Sequence, residues 1–209
     1  MKNIKTILAA GLVLIGSAAH AYTVNFIDLA NNAPGELGAL SLSYDALTIT
    51  ATKSGNAANA YLDGKSGGYN AGLGVCGTIT TSLQCNPSDD DNVTSGEFLT
   101  FSFSEDTWVN GLFVNTNHDP VRYFSGSQGV LLNGVHKDVT SYGSIVDFNK
   151  LKTDPFFVAA GTSFDLGFEN KQFYVSAIDF VSVPEPATLG LLALGLAGIG
   201  AARRKQTAK

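Results

Sequence analysis

Glu97-Phe98-Leu99-Thr100-Phe101-Ser102-Phe103 decides the fold. Leu99, Phe101 and Phe103 fall on one side of an extended chain, and Thr100 and Ser102 on the other. A period of two is the signature of a strand with one buried face. Working outward, Thr107–Val114 reads the same way, with Trp108, Leu112 and Val114 expected on one face. Tyr22–Leu29, Leu40–Tyr44, Leu47–Thr52 and Asn59–Asp63 are short β-branched or aromatic runs between Gly, Asn and Asp clusters. Val130–Val139 carries Asn133-Gly134, a two-residue hairpin turn, and Ser163–Phe168 and Phe173–Val183 close the series. No window shows a capped, sustained 3.6-residue apolar period. Nine to eleven strands without helices predict an all-β domain, a two-sheet β-sandwich that is jelly-roll-like. An immunoglobulin-type sandwich is the alternative, because strand order is not written in one sequence.

The strands occupy the middle of a 209-residue chain whose ends have a different composition. Lys2 and Lys5 precede an uncharged, mostly apolar stretch from Ile7 to Ala19, and Ala19-His20-Ala21 fits the small-x-small cleavage pattern. Residues 1–21 therefore read as a secretory signal peptide, removed by signal peptidase after passage through the translocon. An uncleaved N-terminal anchor is the competing reading. At the other end, Pro184-Glu185-Pro186 is followed by the uncharged Ala187–Ala202 and then Arg203-Arg204-Lys205. As a helix, residues 187–202 reach about 24 Å, close to the hydrocarbon thickness of a bilayer, with the basic tail 203–209 held cytoplasmic. Residues 22–183 are left as one extracytoplasmic domain.

That domain is acidic. Of the 13 Lys and Arg, Lys2, Lys5, Arg203, Arg204, Lys205 and Lys209 lie in the ends, against Glu185 alone. The middle keeps 7 basic and 17 acidic residues, net −10. Nucleic acid is excluded as a partner through a basic surface, since phosphate contact needs clustered Lys and Arg. Divalent cations and neutral sugars remain compatible.

Cys76 and Cys85 are the only cysteines. In an exported protein they predict a disulfide. Asp89-Asp90-Asp91-Asn92, with Glu97 shortly after, is a run of hard oxygen donors. Asp89, Asp91, Asn92 and Glu97 are the candidate Ca²⁺ ligands, against the plainer reading of a solvated acidic turn. The Asp-x-Asp-x-Asp-Gly loop of an EF-hand is absent. Gly64-Lys65-Ser66-Gly67-Gly68 matches the letters of a nucleophile elbow, but the glycines after it deny the helix that motif needs. His118 and His136 lack zinc-ligand spacing. Trp108, Tyr61, Tyr69, Tyr123 and Tyr142 are candidates for a sugar-stacking platform, with core packing the competing role for Trp108.

The C-terminal end resembles the PEP-CTERM sorting signal of Gram-negative bacteria. The likeness rests on Val183-Pro184-Glu185-Pro186-Ala187-Thr188-Leu189-Gly190-Leu191, the apolar helix, and the stop formed by Arg203 and Arg204. It implies recognition by an exosortase, removal of the tail, and transfer from the inner membrane to the cell surface or extracellular matrix. An ordinary C-terminal anchor is the alternative. Gly72-Leu73-Gly74-Val75, Asp91-Asn92 and Glu97–Phe101 also look like a segment that recurs in β-domains with this tail; the likeness is loose and names no ligand. The expectation is an exported, non-catalytic surface or matrix protein associated with exopolysaccharide in biofilm. A carbohydrate-binding module, Ca²⁺-dependent or not, is the alternative, and a hydrolase the third reading.

Overall fold

A computed structural model of the protein describes residues 20–118, 123–142, 145–183 and 195. The chain runs β1 (His20–Asn25), α1 (Phe26–Asn31), β2 (Leu37–Ala39), β3 (Ser41–Tyr44), β4 (Leu47–Lys53), β5 (Asn56–Asp63), β6 (Gly72–Cys76) and β7 (Glu97–Phe103). It continues through β8 (Thr107–Asn115), β9 (Gly129–Leu132), β10 (Val135–Tyr142), β11 (Ile145–Leu151), β12 (Phe156–Val158), β13 (Ser163–Phe168) and β14 (Tyr174–Ser182). The all-β expectation holds, with 14 strands among the described residues instead of nine to eleven. The extra ones are mainly short or glycine-rich: β2, β6 and β12 carry too little alternation to be read from sequence.

All pairings are antiparallel, in the order β1-β14-β6-β5-β4-β7-β13-β9-β10-β11-β8-β12, and β14 also pairs with β8. The ladder therefore closes on itself through β14, while β1, β2, β3 and β12 each pair with a single strand. Several strands change partners part-way, β5 and β10 among them. Asn56–Ala58 of β5 pair with β4, and Asn59–Asp63 pair with β6. Val135–Asp138 of β10 pair with β9, whereas Val139, Thr140 and Tyr142 pair with β11.

Leu99, Phe101 and Phe103 face inward, as their alternation requires, and all are buried. Phe101 stacks on Phe164 of the neighbouring β13 at 5.1 Å. Phe103 meets Phe180 of β14 edge-on at 5.0 Å, and Phe156 of β12 meets Phe164 at 5.1 Å. Those two contacts join strands that share no ladder, so the aromatic core ties separate stretches of the sheet together.

Two expectations are corrected. Tyr22–Leu29 is not one strand. It breaks at Asn25, whose side chain accepts a hydrogen bond from the Asp28 N–H and caps a six-residue helix. Trp108 is not in the core with Leu112 and Val114. The register of β8 against β14 shifts between Val109 and Gly111, a bulge that reverses the alternation there. Val109, Leu112 and Val114 are buried, and Trp108 is 45% exposed beside Phe157 at 5.7 Å.

The leader lies outside the described residues apart from His20 and Ala21, which begin β1 opposite Ser182 and Val181. The expected span 187–202 lies outside them apart from Gly195, and Pro184, Glu185, Pro186, Arg203 and Arg204 do too. Among the described residues, no helix is long and apolar enough to cross a membrane.

Candidate functional site

The expected disulfide is formed: Cys76 and Cys85 are bonded, with Cα atoms 5.8 Å apart. It ties the loop 77–96 to the end of β6, and an isolated bridge between Ile79 and Cys85 reinforces the tie. The loop then folds back over β6. Its path needs a glycine beneath it, because a Cβ on Gly74 would lie 2.0 Å from the Asp91 carbonyl oxygen. Gly72 is constrained as well, at φ +136° and against the Val175 carbonyl. Gly74 is thus the contact surface for the acidic run, and Gly72 the one for β14.

At the crest of this loop, neighbouring carboxylates part. Asp90 turns toward β4, where it accepts from the Gly77 N–H at 3.1 Å and pairs with Lys53. Lys53 also pairs with Glu97 at 2.9 Å. Glu97 is fully buried, and its other oxygen accepts from the Thr94 N–H at 2.7 Å and the Thr94 hydroxyl at 3.0 Å. Burial pulls the Lys53 ammonium down, but its bonds to Asp90 and Glu97 outweigh this and hold it above the ordinary lysine value.

Asp91 turns the other way, into a cleft of about 730 Å³. Its Oδ1 accepts from the Tyr174 hydroxyl at 2.5 Å. Asp63, at the end of β5, is buried and pairs with His118 Nδ1 at 2.9 Å. The His118 Nε2 lies 3.2 Å from the Tyr69 carbonyl, so both ring nitrogens are engaged. The Asp63 hydrogen bond raises the His118 pKa against the opposing effect of burial. Desolvation, followed by the charge of Asp63, lifts the Asp91 carboxyl to about 6, and the Tyr174 bond offsets part of the rise. Burial and the same two carboxylates push the Tyr174 phenol upward, and its hydroxyl is the donor to Asp91.

Amides line the wall at Asn117 and brace it from behind at Asn115. Asn117 donates to the Asn70 carbonyl at 2.8 Å and to Asp147 Oδ1 at 2.5 Å. Asn115 donates to the Ala71 carbonyl at 2.6 Å and to the Ser176 hydroxyl at 2.9 Å. The side-chain oxygens of Asn92 and Asn117 are buried without a hydrogen-bond partner among the described residues. Both residues line the cleft.

The four candidate Ca²⁺ ligands are not gathered at one point. Asp89, Asp91 and Asn92 line the cleft, whereas Glu97 is turned inward under Lys53 and Thr94. Strand alternation aims Glu97 at the interior, and Lys53 supplies the counter-charge. Among the described residues, no group of three or more His, Cys, Asp or Glu side chains is arranged to hold a metal ion. Of the platform tyrosines, Tyr69 and Tyr123 are exposed, but Tyr61 is buried with its hydroxyl on Glu36 at 2.6 Å. The Tyr142 side chain lies outside the described set. The Gly64–Gly68 segment is a turn closed by a Ser66–Tyr69 bridge, followed by β6 and no helix. His136 lies on β10 against Glu169 at 2.5 Å and Asp138 at 3.1 Å.

Sequence reading missed Asp63, His118, Asn117 and Tyr174 as site residues. Their separations in the chain give no motif. The one usable signal was Gly72 and Gly74 within a short apolar run, which marks a close backbone approach.

The described β-structure ends at Ser182, and the family comparison begins at that residue. The family model of the PEP-CTERM protein-sorting motif matches residues 182–205. The chain carries a PEP-CTERM sorting motif. This PEP-CTERM segment implies export, sorting to the cell surface, and an exosortase as processing partner. No curated protein and no solved structure matches the chain.

Proposed function

We propose that this is an exported, non-catalytic protein of the cell surface or extracellular matrix, associated with exopolysaccharide in biofilm. The observation that carries the reading is the sorting motif placed directly after the last strand. On this reading, signal peptidase cuts after Ala21, residues 187–202 hold the chain in the inner membrane, and an exosortase then removes the tail. Two commitments in the cleft favour a non-catalytic role. Both His118 ring nitrogens are engaged, and the Tyr174 phenol is held protonated, so neither serves as a ready base or nucleophile. The partner changes in β5 and β10 favour a two-layered, sandwich-like arrangement, since strands that pass from one sheet to another form its corners.

The test is fractionation of producing cells that express the full chain or a Pro184→Ala, Glu185→Ala, Pro186→Ala variant. The wild type is expected in the matrix fraction, starting at Tyr22 and lacking residues 187–209 by intact mass. The variant is expected to stay in the inner membrane. A matrix-borne wild type that keeps its whole tail would sink the proposal. A second reading, a carbohydrate-binding module, is favoured specifically by the polar cleft around Asp63 and Asp91.

A further inference from the structure

We infer that the cleft between the β5–β6 turn, the loop 77–96 and the start of β14 is a saccharide site that takes neutral or amino-bearing sugars, and not uronates, by direct hydrogen bonding to protein side chains. The inference rests on the proposed association with exopolysaccharide and gives that association a place and a ligand class.

Shape is the first ground. A cleft of about 730 Å³ falls within the usual range of small-ligand sites. The second ground is the donor and acceptor inventory. Asp63 and Asp91 are acceptors when ionised, and the Tyr174 hydroxyl between them is already spent on Asp91. The Asn92 and Asn117 side-chain oxygens are more than nine-tenths buried and accept nothing among the described residues. Buried polar atoms without partners are uncommon, because each forfeits its hydration. They mark a wall rich in acceptors and poor in donors; Asp89 and Asp91, less deeply buried, present that character to the cleft, and vicinal hydroxyl or amino groups on a sugar ring supply several donors at close spacing.

Charge is the third ground. Glu36, Asp63, Asp89 and Asp91 line the cleft, against Lys65 and His118. A carboxylate-bearing sugar would meet net negative charge there, within a domain that is itself strongly acidic. Rigidity is the fourth. Asn117 is fixed by Asn70 and Asp147, and Asp91 by the backbone contact over Gly74, so the polar groups are held in place before a ligand arrives. Tyr69, exposed at the rim, offers a flat face to a pyranose ring.

The test uses the full-length chain in detergent with EDTA present, applied to an array of neutral, amino-sugar and uronate oligosaccharides. Hits are followed by titration calorimetry. Binding to neutral or amino-sugar glycans without uronate binding is expected. Asp91→Asn and Tyr69→Ala should each weaken binding at least tenfold, with melts no lower than the wild type's showing that the fold is intact. Val135→Ser, on the exposed β9–β10 hairpin, should bind as the wild type does. Four results overturn the inference: no glycan bound, uronates bound alone, binding that appears only when Ca²⁺ replaces EDTA, or both cleft variants binding as tightly as wild type. Sorting failure with glycan binding intact defeats only the proposed localisation. Correct sorting without glycan binding defeats only this site.

Discussion

Asp90 and Asp91 are adjacent in sequence and belong to opposite electrostatic regimes. On the Asp90 side, one lysine answers two carboxylates, and Glu97 gains two hydrogen bonds from Thr94 as well. On the Asp91 side, two carboxylates share one imidazole and one phenol, and two amide oxygens have no partner among the described residues. The first cluster is built to hold the loop. The second keeps unpartnered polar atoms buried in the wall of a cleft, at a cost in stability. Folded proteins tolerate such costs where a site needs them, so the contrast separates framework from function within one loop.

The contrast breaks most completely if the loop leaves β6. Gly74→Ala drives a Cβ into the Asp91 backbone, and a loss of about 3–5 kcal/mol, or failure to fold, is expected in urea unfolding. A melt within a degree of wild type would mean that the loop does not rest on Gly74. Next is the framework side. Lys53→Met leaves the buried Glu97 without its cation and should cost about 3 kcal/mol, somewhat less than for a wholly buried pair because Lys53 is partly exposed. Chemical denaturation at neutral pH reads this directly, and a cost below about 0.5 kcal/mol would reduce the cluster to a surface pair.

The disulfide secures the same loop from its other end. Replacing Cys76 and Cys85 together by Ser should cost about 2.5–3 kcal/mol, from the entropy of a short closed loop. Free-thiol labelling of the unfolded, unreduced wild type should give no signal, and two labelled thiols would remove the bond from the account.

The smallest effect sharpens the contrast by its sign. The Asp91 carboxyl is raised from 3.8 to about 6 in the fold. Its contribution to stability is full below 3.8 and is lost as pH rises through 6. His118, raised above 6.5, loses its contribution in the same direction at higher pH. Asp91→Asn should therefore stabilise the domain by about 1–2 kcal/mol at pH 7.5, allowing for solvent screening, and by nothing at pH 4. Melts across that range decide it. Stabilisation at both ends, or at neither, would place Asp91 among ordinary surface acids.

Much of this molecule was legible before the coordinates. The alternation of Glu97–Phe103, the Asn133-Gly134 turn, the Cys76–Cys85 bond and the Pro184-Glu185-Pro186 tail each lie within one short continuous stretch of chain, and that is where sequence patterns are written. The inward turn of Glu97 also follows from its alternation with Leu99, although a run of acids invited a metal reading. Trp108 was misread because a bulge breaks the period of two, and one skipped residue reverses every side chain beyond it.

Tertiary structure alone decided which charges meet. Lys53 reaches Asp90 across 37 residues, His118 reaches Asp63 across 55, and Tyr174 reaches Asp91 across 83. The last two encounters together require β5, β6, β14 and β8 to lie side by side, and that order is set when the ladder closes through β14. Alternation tells a side chain whether it faces inward or outward. It carries no information about which distant strand will stand beside it, because strand order emerges from the joint packing of faces that are individually alike.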